Sequence, residues 1–203
     1  MEEKKYLLEM FRRHPELKQI EDDIWKSFVI LKDAYINKGK ILTCGNGGSA
    51  ADADHIVGEL MKGFCKKREL SAESREIYGD LSDALQEGLP AIALTQHTAL
   101  ITAYSNDMDP DMIFAQQVYI YGNREDVLWA ITTSGNSPNV INASRVAKKR
   151  GLKVIGMTGL NGGALKEITD VCISVPEKET AFAQEKHLII YHALCAMLEE
   201  YFF

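Results

Sequence analysis

Five short apolar runs, at residues 41–44, 91–94, 127–131, 154–157 and 171–175, are separated mainly by helix-like segments. This alternation constrains the chain to an α/β architecture, a five-stranded parallel sheet covered by helices on both faces. Segments 110–121 and 139–150 read as crossover helices, the second closed by Gly151 as a C-cap. Residues 180–201 form a last helix, long and apolar on more than one face. At the other end Ile20, Ile24, Phe28, Leu31 and Tyr35 recur at helical spacing, which predicts an amphipathic helix beginning beyond Pro15 within an N-terminal helical segment over 1–38. With 203 residues and 46% apolar composition there is enough material for one substantial core, so 1–203 is read as one domain. Segment 66–88 is charged and is expected to be a flexible or partly helical insertion.

Charge and composition exclude several roles. A net charge of −6 argues against a general nucleic-acid surface, and Lys66-Lys67-Arg68 is too short a basic run to grip a backbone and reads as solvated. The N-terminal Met1-Glu2-Glu3-Lys4-Lys5 lacks a hydrophobic signal core, and no apolar run is long enough to span a bilayer, which predicts a cytoplasmic protein. Cys44, Cys65, Cys172 and Cys195 are scattered, show no Cys-x-x-Cys spacing and read as buried thiols.

Two loops carry the chemistry. After the third apolar run comes Thr132-Thr133-Ser134-Gly135-Asn136-Ser137-Pro138, a hydroxyl-rich turn opening a helix. Hydroxyls, free N–H groups and the helix dipole at such a place favour a phosphate, although a Ser/Thr turn with an ordinary N-cap has the same composition. After the first run comes Gly45-Asn46-Gly47-Gly48-Ser49-Ala50, a second strand-loop-helix turn. Its Gly-x-Gly-x-x-Ala spacing fits a relaxed dinucleotide fingerprint, but no second strand with a terminal acidic residue follows promptly, and no Gly-Lys-Ser/Thr closes a phosphate loop of the nucleotide triphosphatase kind. In an open parallel sheet both turns fall outside the carboxyl ends of strands, where ligands bind. Gly159-Leu160-Asn161-Gly162-Gly163 follows another strand and reads as a simple chain reversal.

His55 and Glu59, four apart, share one helix face beyond the first loop, as a surface ion pair or as part of a site. Gln184 and His192, eight apart, share a face of the last helix, with His187 near it and Glu185 off it. A carboxylate, imidazoles and an amide oxygen suit a divalent metal such as zinc, or acid–base work.

Gly45-Asn46-Gly47-Gly48-Ser49, His55-x-x-x-Glu59, Ser134-Gly135-Asn136-Ser137 and Gln184-Glu185-x-His187-x-x-x-x-His192, in this order, resemble the phosphoheptose isomerase family of sugar-isomerase (SIS) domains over nearly the whole chain. The resemblance implies a flavodoxin-like αβα sandwich, usually a homotetramer, that converts sedoheptulose 7-phosphate into an aldoheptose 7-phosphate for lipopolysaccharide or other surface-heptose synthesis. By position, Ser49, Thr132, Thr133, Ser134 and Ser137 would hold the phosphate, with Asn46, Gly47 and Gln184 contacting substrate. His55, Glu59, Gln184 and His192 match the family's zinc-site residues, one ion per subunit, and Glu59 and His192 its base and acid. The chain departs from the pattern where Thr95-Gln96-His97-Thr98 replaces an aspartate loop, so that Gln96 or His97 would take over any substrate contact there; Phe182 stands in place of an arginine, and Lys62-Gly63 in place of Gly-Arg. A non-catalytic SIS protein that senses a sugar phosphate or binds a replication initiator is the alternative, and it would need the phosphate loops without the acid and base.

Overall fold

The computed structural model describes residues 2–203. Helices α1 (Lys4–Arg13) and α2 (Glu21–Ile36), joined by a 3₁₀ turn over Pro15–Ile20, precede strand β1 (Ile41–Cys44) and helix α3 (Gly48–Met61). The chain continues through α4 (Ala72–Tyr78), β2 (Ala91–Ala93), α5 (Thr98–Asp107), α6 (Ile113–Tyr121), β3 (Val127–Ile131), α7 (Pro138–Arg150), β4 (Lys153–Thr158), β5 (Val171–Ser174) and α8 (Thr180–Phe202). All strand pairs are parallel, in the order β2-β1-β3-β4-β5.

Each strand is buried on both faces, and its alternation sorts side chains into two cores. Val127, Trp129 and Ile131 of β3 face a core shared with α1, α2, α3 and α8, whereas Leu128 and Ala130 face one shared with α6 and α7. The fully buried Trp129 anchors the first, and α8 fills it with Ile190, Tyr191 and Leu194. Its packing against α1, α2 and α3 at once explains why α8 is apolar around much of its circumference. Gly151 ends α7 in the left-handed region (φ 86°), the C-cap expected from sequence.

The strand order reverses direction between β1 and β3, which lie side by side with Cys44 opposite Ala130. The loops leaving their carboxyl ends are therefore neighbours, at the crevice where open α/β sheets bind ligands.

The insertion is partly helical, with α4 followed by a 3₁₀ turn over Gly79–Asp83. One expectation about it fails. Arg68 is not solvated: its side chain is fully buried against Glu199. The reason is that its guanidinium is needed inside, where carbonyls at the end of α3 and a carboxylate of α8 would otherwise lack partners. Cys65, read as buried, is exposed, while the other three thiols are buried; it lies on a connecting segment and not in a sheet or helix core. Among the described residues no helix is long and apolar enough to cross a membrane.

Candidate active site

The hydroxyl loop is arranged around its own polar groups. Thr132 Oγ1 lies 2.8 Å from Ser137 Oγ and 3.4 Å from Ser134 Oγ, and the Asn136 N–H donates to Ser134 Oγ at 3.1 Å. Ser137 is the N-cap of α7 yet spends its hydroxyl on Thr132; Pro138 brings no N–H to the first turn, and the Val140 N–H donates to Asn139 Oδ1 at 2.9 Å. Gly135 has φ 68° and sits so close to the next glycine loop that a Cβ would come within 2.0 Å of the Gly162 carbonyl oxygen. The glycine loop after β4 is thus a buttress for the hydroxyl loop as well as a turn, tied to it by the Ala164 N–H to Asn136 Oδ1 and the Leu165 N–H to the Gly135 carbonyl.

Facing it across the β1–β3 crevice, Asn46 exchanges two 2.9 Å hydrogen bonds with Asn139 of α7. A cavity of about 330 Å³ is lined by Asn46, Gly47, Gly48, Ser49, Thr132, Thr133, Ser134, Ser137, Thr180 and Gln184. The amino ends of α3, α7 and α8 all reach it, so three helix dipoles and several hydroxyls converge on one space suited to an anion. The residues read from sequence as phosphate contacts, with Asn46, Gly47 and Gln184, lie here; Gln96 and His97 do not. Asn139 and Thr180 were not singled out from sequence; Thr180 stands one helical turn before Gln184, a spacing that could have marked it.

The second cluster lies farther along α3 and α8. Gly48 is so close to Gln184 that a Cβ there would meet its amide at 2.5 Å, and seven residues on, the Tyr191 hydroxyl reaches His55 Nδ1 at 2.9 Å. The two helices therefore run side by side in the same direction. His55 Nε2 lies 3.1 Å from Glu59 Oε1 and 3.4 Å from His192 Nε2, and one ligand atom from each of the three residues lies within 4.8 Å of the others. A tetrahedral ion with bonds of about 2.0–2.1 Å sets its ligand atoms about 3.3 Å apart, and the two distances from His55 Nε2 are of that size. Glu59 Oε2 is buried with no hydrogen-bond partner, the Lys62 ammonium lying 3.8 Å away. The three residues fit a zinc ion. Gln184 lines the loop cavity with its amide against Gly48.

Behind His55 stands a pair that sequence reading missed. The Tyr191 hydroxyl lies 3.3 Å from Asp52 Oδ1 and 2.9 Å from His55 Nδ1; when its proton goes to Asp52 it accepts from an Nδ1–H, the tautomer in which Nε2 would be free to ligate an ion shared with Glu59 and His192. Burial pushes the Asp52 carboxyl up to about 6, against the opposing influence of Tyr191 and His55, and burial with the charge of Asp52 raises the Tyr191 phenol far above its usual value. Burial, and next the proximity of His55, lower the His192 imidazole, with Glu59 opposing them. His187 does not join this cluster: it turns into the core, with Nε2 3.1 Å from the Thr158 carbonyl. In the loop after β2, Thr95 and Gln96 both donate to Asp54, while His97 packs its ring 5.6 Å from that of Tyr121 with Nε2 buried and unpartnered. Phe182 is half exposed on the first turns of α8.

The profile of the SIS domain family matches residues 5–159. The phosphoheptose isomerase of a Nitratiruptor species is 42% identical over 179 residues, covering 88% of this chain and 86% of that protein. The phosphoheptose isomerase of Helicobacter pylori is 38% identical over 186 residues, 92% of this chain and 88% of the relative. Among solved structures, a phosphoheptose isomerase from Francisella tularensis superposes with a TM-score of 0.79 at 34% identity over 97% of this chain and 95% of that one. The one from Neisseria gonorrhoeae gives 0.77 at 34% identity, covering 97% and 96%.

Proposed function

Because the chain belongs to the phosphoheptose isomerase family of SIS-domain proteins, we propose that it is an aldose–ketose isomerase acting on sedoheptulose 7-phosphate to give the D-glycero-D-manno-heptose 7-phosphate. The observation that carries this reading is the convergence of Glu59, near the end of α3, and His192, midway along α8, on two helices whose amino ends open on the anion cavity. Ser49, Thr132, Thr133, Ser134 and Ser137 hold the phosphate, with Asn46, Gly47 and Gln184 along the sugar.

Glu59 takes the C1 proton of the ketose and returns it to C2. His192 donates a proton to O2 as the enediol forms and takes the O1 proton as the aldehyde appears, so that the product is an isomer with no net change in protons. Phosphate anchoring keeps the reacting carbons in register with both groups. His55, Glu59 and His192 would hold zinc, with Gln184 the fourth ligand that the family resemblance implies, and the ion when bound would polarise the substrate oxygens. A regulator that only senses the sugar phosphate would have no use for the buried Glu59 Oε2, which lacks a hydrogen-bond partner, in the cluster with His192. The same reading extends to a cytoplasmic homotetramer supplying heptose for lipopolysaccharide or another surface glycan.

A panel of five-, six- and seven-carbon ketose phosphates tests it. The seven-carbon substrate should give the highest kcat/KM, and in deuterium oxide its product should carry deuterium at C2. No turnover of any of them by zinc-replete protein would overturn the reading.

A further inference from the structure

The segment that follows α3 looks like a surface insertion in sequence, yet its base holds a buried, multiply hydrogen-bonded charged cluster. Arg68 Nε donates to Glu199 Oε1 at 2.7 Å, and both side chains are fully buried. Its other two nitrogens cap the end of α3, donating to the Leu60 carbonyl at 2.6 Å and the Glu59 carbonyl at 2.9 Å. Glu199, on the last turns of α8, also accepts the N–H groups of Phe64 at 2.8 Å, Cys65 at 2.6 Å and Lys66 at 3.0 Å. Burial opposes its charge, but these N–H groups and Arg68 outweigh it and hold the carboxyl below its ordinary range. The guanidinium lies 4.8 Å from the Phe203 ring centre, so it is packed as well as paired.

This pair grips both ends of the acid–base site. Glu59 is held through its own carbonyl, and Phe64, fixed by Glu199, lays its ring 5.4 Å from that of His192. A carboxylate near the end of a helix would otherwise move with the fraying of the last turn, where four carbonyls have no helical partner. We propose that Arg68, seated on Glu199, is a positioning residue that fixes Glu59 and His192 relative to one another for proton transfer; this rests on the roles assigned to those two residues above.

A purely structural pair would affect stability first and would be replaceable by apolar side chains, since buried ion pairs often are. The test uses full-length Arg68→Lys and the double variant Arg68→Met/Glu199→Leu, each with thermal midpoint, zinc content after dialysis, and kinetics with sedoheptulose 7-phosphate. Lysine keeps the charge but lacks the planar fork that reaches two carbonyls and a carboxylate at once. We expect kcat to fall at least about tenfold in both. KM and inhibition by inorganic phosphate should stay within about twofold, because the anion cavity is built by other elements, and zinc retention should drop. In the double variant the midpoint should recover without recovery of kcat. Wild-type kcat and wild-type zinc retention in either folded variant would overturn the proposal, as would a fall in kcat matched by an equal loss of phosphate binding. A wild-type protein without isomerase activity would instead sink the functional reading, and zinc retention would then decide the positioning role alone.

Discussion

Glu59 is the residue on which the chemistry turns. Its Oε1 is 3.1 Å from His55 while Oε2 is buried and lacks a hydrogen-bond donor, an arrangement that costs stability and is kept where the atom has a ligand or a proton to receive. Glu59→Gln keeps the size and removes the basic oxygen. Turnover should fall at least about 10²-fold with substrate binding retained, because general-base contributions run at about 10²–10⁴-fold. Near-normal turnover in folded, metal-replete variant would show that another group takes the C1 proton. His55 and Glu59 were legible in sequence because four-residue spacing puts them on one helix face, and Gln184 and His192 because eight does. Tyr191 and Asp52, which back the Nδ1 side of His55, were not. A tyrosine in an apolar helix reads as core, and only its hydroxyl's position against another helix gives it a second task.

At the scale of elements, α8 serves both the core and the site, and His187 marks the boundary. Fully buried with Nδ1 unpartnered, it has its imidazole lowered to about 4 by burial, the Thr158 carbonyl opposing only in part. The folded state therefore favours neutral His187, with the unfolded chain titrating near 6.5. The resulting stability is fully present above that unfolded value. It is lost as pH falls from about 6.5 through about 4, where protonation favours the unfolded chain, for a total of up to about 3 kcal/mol. Denaturant unfolding at pH 7 and pH 4.5 should show wild type losing more stability than His187→Gln over this interval. Equal losses would mean that His187 charges without penalty. The helix α5 and the docking of 66–88 escaped sequence reading for a related reason. Neither has a strong apolar period, and each is fixed by contacts to distant residues, such as Thr95 and Gln96 on Asp54 before α5 and Arg68 on Glu199.

For the whole molecule the decisive fact is that two spatially separate sets of groups, the anion cavity and the His55–Glu59–His192 cluster, are joined by parallel α3 and α8. The metal reading is tested at this scale. Gently purified protein should contain about one zinc per chain, chelation should abolish activity and restored zinc return it, and His55→Ala should lose the metal while inorganic phosphate still binds. Metal-free protein with full activity would leave the proton-transfer residues standing and remove zinc from the mechanism. Loss of phosphate binding along with the metal would show that the two sets of groups are one coupled site.

Sequence by itself determined what repeats or sits in sequence-local patterns. The five apolar runs became five parallel strands because a strand buried on both faces must be continuously apolar, and the two glycine/hydroxyl turns became cavity walls because they follow strands and begin helices. Tertiary structure alone decided which distant groups complete a site. The order β2-β1-β3 sets Asn46 against Asn139, ninety-three residues apart. The packing of α8 on α3 brings His192 to His55, 137 residues apart, and the need to satisfy carbonyls and N–H groups at the end of α3 draws Arg68 inside to Glu199, 131 residues away. Periodicity reports which face of an element is apolar; it holds no information about which partner a polar group will meet once those faces are joined.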